Sequence, residues 1–201
     1  MGKYPRLNDL RLTVVTLIAL GNPGILSSSP KAAIHPAPGT SIVHFAELDN
    51  GVYKGSKPKS DADFRFLRSR HIKYILNVNF LPYLSGSEKR KAAKYGIAFM
   101  TGPMNASVLP PQEKHVDRIL LILRDPCFHP IYFHCELGRD RTSLIAALYD
   151  IYFRGASVDQ GWREMNEYGF KDWWPVRGLK AYFKKHPQRP ASLVFTPHPC
   201  N

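Results

Sequence analysis

Pro130-Ile-Tyr-Phe-His134-Cys135-Glu136-Leu137-Gly138-Arg139-Asp140-Arg141-Thr142 is the stretch on which the reading of this chain turns. Its first five residues form a short apolar run that opens with proline and reads as a buried strand. From Arg141 to Phe153 the apolar residues Leu144, Ile145, Leu148 and Ile151 recur at helical spacing, and Gly155 supplies a stop. A loop from the carboxyl end of a strand to a helix N-terminus turns several backbone N–H groups and the positive end of the helix dipole into one concavity, which suits a phosphate. Gly138 lets the backbone fold closely around such an anion. Cys135 lies at the base of that cradle, where the same groups stabilise its thiolate and make it nucleophilic. Arg141 is placed to fork two phosphate oxygens, which the point charge of a lysine would not reproduce.

Outward from this segment the chain alternates short β-rich runs with helical stretches. That pattern predicts an α/β fold in which a small central sheet is flanked by helices. Ser41–Leu48 and Val52–Gly55 read as a strand pair, Asp61–His71 as a helix, and Tyr74–Asn79 as a buried strand. Glu88–Tyr95 reads as a charged surface helix closed by Gly96, Ile97–Met100 as a short strand, and Pro111–Leu123 as an amphipathic helix. Two further helices are expected before Lys185. Residues 41–186 therefore form one domain, as 201 residues allow.

The chain carries 28 Lys and Arg against 16 Asp and Glu, a formal charge of +12 that favours anionic partners. With 44% hydrophobic residues it has ample core and is not a disordered basic tail. Nucleic acid is excluded as the partner, because no recognised motif and no interleaved aromatic-basic strand pattern is present. The eight His show no ligand spacing with Cys or carboxylates, so no metal is expected, and no other cofactor. Three Cys leave at least one thiol free, with Cys127 read as a core thiol and Cys200 in a remote tail. Lys3, Arg6 and Arg11 precede an apolar run from Leu12 to Leu20, the layout of an export signal over residues 1–29. The run is too short to span a bilayer. A periplasmic or secreted location is expected, the alternatives being a cytoplasmic or a membrane-tethered protein. Residues 30–40 read as a linker, and residues 187–201 as a proline-rich tail lying on the domain or frayed. Trp173-Trp174 reads as interhelical packing.

His-Cys, five residues, then Arg-Thr resembles the signature of the cysteine-dependent protein tyrosine phosphatase superfamily, and the surrounding chain is similar to its compact bacterial dual-specificity members. The similarity runs from about Phe45 to Phe183. Gly51-Val-Tyr-Lys-Gly-Ser-Lys-Pro58 resembles an early segment that the family places beside its pocket, and Tyr74–Asn79 its central strand. The resemblance implies a phosphatase-like fold. It further implies that Cys135 forms a phosphocysteine intermediate, Arg141 binds phosphate, Thr142 helps to expel the thiolate in the second step, and His134 tunes the cysteine. Glu136, Leu137, Gly138 and Arg139 complete the substrate loop. Ser143 stands where many members have Gly.

Protonating the leaving oxygen requires an acid. Most of the family use an upstream Asp, yet Gly102–Gln112 contains no carboxylate, and Asn105 stands in its place. Asp140 is the leading candidate, since a phosphoinositide-specific branch of the superfamily has Asp at that place; Glu136, Glu113 and Asp117 are further candidates. Arg139, with Lys54, Lys57 and Lys59 of the early segment, makes a basic rim that suits a multiply phosphorylated small molecule such as an inositol polyphosphate. A phosphoprotein is the alternative substrate, and a phosphate-binding pseudophosphatase the alternative function.

Overall fold

Strand formation follows the apolar runs, and the alternation of side chains along each strand decides what faces which layer. The structure is a computed structural model that describes residues 36–191, 193–196 and 199–200. The expected export signal and most of the expected linker lie outside the described residues. Five strands, β1 (Ala46–Asp49), β2 (Val52–Ser56), β3 (Tyr74–Asn77), β4 (Ala98–Thr101) and β5 (Ile131–Cys135), form one sheet in the order β1-β2-β5-β3-β4. β1 pairs antiparallel to β2, and the other pairings are parallel, so β2 to β5 all direct their carboxyl ends to one edge.

Helices α1 (Asp61–Ser69) and α2 (Gly86–Lys94) cover one face, packing on Ile75 and Tyr132. Helices α3 (Glu113–Arg124), α4 (Arg141–Phe153), α5 (Val158–Glu167) and α6 (Arg177–Lys185) cover the other, where Leu76 and Phe133 lie. The central strand β5 is buried on both faces. Ile131, Phe133 and Cys135 turn toward α4, while Tyr132 and His134 turn toward α1 and α2. α4 is buried nearly all round, as suits a helix enclosed by α3, α5, α6 and the sheet.

Several expectations need correction. The strand expected over Ser41–Leu48 begins only at Ala46, because His44 takes a left-handed backbone (φ 58°) that interrupts extended pairing. Glu88–Tyr95 is not simply a surface helix: Glu88 shares the buried stripe of Ala92, one turn away. Within the stretch expected as a linker, Ala37 is buried and its N–H donates to Ile42 O at 2.8 Å. In the tail, expected either to lie on the domain or to be frayed, Leu193 is buried in the core. Cys127 is not a core thiol; it is disulfide-bonded to Cys200, which leaves Cys135 as the free cysteine. Trp173 and Trp174 are largely exposed rather than packed between helices.

Candidate active site

The geometry is built on the end of β5. Cys135, the last strand residue, is 2% exposed, and the chain returns as α4 at Arg141. Thr142 in the first turn is fully buried, and its Oγ1 accepts the Cys135 backbone N–H at 2.8 Å. That bond uses an oxygen lone pair and leaves the hydroxyl proton available. Asp140 at the start of α4 makes no side-chain cap, so the first-turn N–H groups are left to the loop. Gly138 has φ +67°, and a Cβ there would lie 2.5 Å from the Gly55 carbonyl carbon and from the Ser56 nitrogen. The loop thus lies directly against the carboxyl end of β2, an approach open only to glycine.

Arg141 is steered by a bond from its Nε to the carbonyl oxygen of Met104 at 3.0 Å, which leaves both terminal nitrogens for a ligand. It lines a cleft of about 310 Å³ together with Lys57, Glu136, Asn79, Phe80 and Leu84. Lys57 Nζ lies 3.4 Å from the Glu136 carboxylate. Asn79, just beyond β3, accepts the Glu136 backbone N–H at 3.0 Å and is itself held by a bond from its N–H to Asn77 Oδ1 at 2.8 Å. The loop that carries Met104 is anchored on α6, where the Gly178 N–H donates to Ser107 O at 3.0 Å. In that loop Asn105 Nδ2 donates to Ser107 Oγ.

His134 is fully buried with Nε2 2.6 Å from Glu88 Oε1, and Nδ1 3.1 Å from the Cys135 carbonyl oxygen. Asn77 Nδ2 donates to both Glu88 Oε2 and Ser85 Oγ at 3.0 Å. The imidazole behind the cysteine is therefore held from α2, by contacts made on the face opposite Cys135.

Two cations expected on the pocket rim are elsewhere. Lys54 pairs with Phe133 across the β2–β5 ladder and so points to the α4 face. It is 1% exposed, 3.0 Å from Glu164 Oε1 and 3.1 Å from the centre of the Tyr168 ring. Burial lowers its pKa to about 8, against the pull of Glu164. In the same cluster burial, then Glu164, raise Asp150 to about 7, with Arg154 Nη1 at 2.7 Å opposing. Arg139 turns away from the cleft: its Nε and Nη2 reach Asp140 oxygens at 3.2 to 3.3 Å, and its stem runs beside Gly169. Asp140 is 8% exposed and engaged in that pair. Lys59 is exposed, and its carbonyl oxygen accepts from Lys91 Nζ at 2.5 Å. Leu137 projects to solvent. Glu113 and Asp117 lie on α3, Asp117 along a groove shared with Val194 and Phe195 of the tail and not in the cleft. Burial and Glu113 raise the pKa of Asp117.

The sequence reading missed Asn79, Phe80, Leu84, Glu88 and Glu164. One signal pointed to the first three: ligands of open α/β sheets gather beyond the carboxyl ends of the strands, where Asn79 to Leu84 follow β3. Among the described residues no group of His, Cys, Asp and Glu has the geometry to hold a metal ion.

Comparison with known proteins places this geometry. No curated protein matches the chain in sequence. Solved structures match in fold, among them the core catalytic domain of the PP-IP phosphatase SIW14 from S. cerevisiae, with a TM-score of 0.61, 20% identity, and coverage of 70% of this chain and 83% of that one. P. aeruginosa TpbA gives a TM-score of 0.61 at 20% identity over 78% of this chain and 91% of its own, and has also been solved in complex with pTyr. Tk-PTP gives 0.55 at 16% identity over 70% and 94%. The sequence profile of the tyrosine phosphatase family covers residues 41–151, which include Cys135, Arg141 and every strand of the sheet. With its profile and its phosphatase-like fold in agreement, the chain belongs to the tyrosine phosphatase family and is a cysteine-dependent phosphatase.

Proposed function

We propose that the chain hydrolyses phosphomonoesters in two steps through an S-phosphocysteine at Cys135. The observation that carries this is the joint placement of Cys135, Thr142 and Arg141 around one uncapped helix start. The Cys135 sulfur attacks phosphorus as the bond to the leaving oxygen breaks, and that oxygen takes a proton. Water then attacks phosphorus, the S–P bond breaks, and the Thr142 hydroxyl hydrogen-bonds the departing thiolate. Arg141 and the loop N–H groups hold the equatorial oxygens in both steps.

Two loop carboxylates are the candidates for supplying the proton. Asp140 is engaged by Arg139, whereas Glu136 lines the cleft beside Lys57, which supports Glu136 as the donor and Asp140 as the second choice. For the substrate, the exposed apolar wall of Phe80, Leu81 and Leu84 favours an ester with an aromatic or apolar group, such as a phosphotyrosine protein. TpbA in complex with pTyr is consistent with that reading. An inositol polyphosphate is the second reading, supported by Lys57 and Arg141 and by the fold shared with a PP-IP phosphatase, and weakened because Lys54 and Arg139 face elsewhere. A periplasmic or secreted location is also proposed, since the Cys127–Cys200 disulfide suits an oxidising compartment.

Turnover of para-nitrophenyl phosphate under reducing conditions tests the chemistry. Wild type is expected to turn over and Cys135→Ser not to; an inactive wild type would establish the pseudophosphatase instead. With phosphotyrosine peptide and inositol hexakisphosphate, Glu136→Gln is expected to lose more kcat than Asp140→Asn or Asn105→Ala. The ratio of kcat/KM for the two substrates decides between the readings.

A further inference from the structure

Of the nine large apolar side chains widely exposed among the described residues, six lie in the segments that follow the carboxyl ends of the parallel strands, and three of these, Phe80, Leu81 and Leu84, line the cleft. After β3 come Phe80, Leu81, Tyr83 and Leu84, which are 51%, 38%, 75% and 65% exposed. After β4 comes Leu109 and after β5 Leu137. Trp173 and Trp174 join them, because the loop carrying Leu109 packs on Gly178, one helical turn beyond Trp174. A soluble domain rarely gathers so much exposed apolar surface in one place unless something covers it.

The charge around this face says what that is. Lys89 and Arg90, on α2 beyond Ser85–Glu88, are exposed, while the acid next to them in sequence, Glu88, is turned inward to His134. Lys171 and Arg177 flank the two tryptophans, and Asp172 between them is engaged by Lys180. The acid of the cleft, Glu136, is matched by Lys57. The loop over 102–112 carries no carboxylate. Apolar tips surrounded by exposed cations complement an anionic bilayer, where the tips enter the headgroup boundary and the cations meet lipid phosphates. Tyr and Trp are the side chains that favour that boundary.

We propose that this face docks on an anionic phospholipid membrane, with the cleft opening toward the lipid surface so that the phosphatase acts on esters presented there. The docking is independent of which ester is hydrolysed.

The test is sedimentation of the full chain with vesicles of phosphatidylcholine alone or mixed with phosphatidylglycerol. Binding is expected with the anionic vesicles only, and to weaken as salt rises. Each cation near the surface contributes about fivefold, so Lys89→Glu/Arg90→Glu is expected to lose at least tenfold. Tyr83→Ser/Trp174→Ser is expected to lose as much, while both double variants keep the turnover of para-nitrophenyl phosphate. Cys135→Ser is expected to bind vesicles as wild type does, which separates docking from catalysis. Equal binding of wild type and both double variants, or no preference for anionic vesicles, overturns the proposal. So does self-association that the same variants abolish in the absence of vesicle binding, since a second copy of the chain would then be what covers the face.

Discussion

Gly138→Ala tests whether the loop's close approach to β2 sets the reactive geometry. At φ +67° an alanine takes a left-handed backbone at a cost of about 1–2 kcal/mol. Its Cβ would also stand 2.5 Å from the Gly55 carbonyl carbon and the Ser56 nitrogen, both backbone atoms that no rotamer change moves aside. Relief to an ordinary contact near 3.5 Å requires the loop and the strand to part by about 1 Å. The loop joins Cys135, the last residue of β5, to Arg141, the first of α4, and in the proposed mechanism a displacement of that size costs roughly 100-fold in rate. The expected result is a loss of about 100-fold in kcat/KM for para-nitrophenyl phosphate, with a fall in Tm followed by circular dichroism. Gly155→Ala is the control, because it has φ +74° and nothing within 4 Å of its added Cβ. It carries the torsional cost alone, about 2–4 °C in Tm per kcal/mol for a domain of this size, with activity unchanged. If Gly138→Ala retains wild-type kcat/KM, or if Gly155→Ala loses as much, the steric account is wrong.

Other predictions follow from the buried charges and from the tail. Lys54→Met leaves Glu164 without its cation and is expected to lose about 3 kcal/mol by denaturant melting, the low end for a broken buried pair, because Glu164 is partly exposed. Asp150 is held near 7 against an ordinary 3.8, so between those values the folded state binds more protons than the unfolded one. Stability therefore falls as pH rises from about 4 to about 7, and Asp150→Asn is expected to flatten Tm against pH over that window; an unchanged slope would rule out its burial as the cause. Cys200→Ser opens a loop of 73 residues and is expected to lose about 3–4 kcal/mol, with kcat/KM unaffected; a matching loss of activity would mean that the tail supports the site. Glu88→Ala removes the partner of a fully buried His134 and is expected to lose about 2–3 kcal/mol, against almost nothing for Glu113→Ala on an exposed helix start.

The elements of the fold were legible because their signals are local. The run Ile131–Cys135, Gly138 and the helical spacing from Arg141 to Phe153 specify a strand, a tight loop and a helix in consecutive residues, and the proposed phosphate cradle rests on those three signals. Cys135 and Arg141 could be named from the same segment. What surrounds them was not legible, because it arrives from distant parts of the chain. Lys54 and Lys57 look alike as letters three residues apart, yet strand register turns one into the interior against Glu164 and leaves the other at the cleft. Arg139 and Arg141 flank Asp140, and only the contacts with Met104 and with Asp140 show which of them faces the cleft.

By itself, then, the sequence determined the family signature on which the proposed chemistry rests: a thiol at the end of a strand, a tight loop and an arginine that opens a helix. The tertiary structure alone decided the environment of that chemistry. It brought Glu88 behind His134, tied Cys200 to Cys127, withdrew two expected cations and set Phe80, Leu81 and Leu84 along the cleft. The physical reason is the difference between backbone geometry, which neighbouring residues specify, and side-chain direction at a site, which depends on register and on which buried charges find partners across the fold.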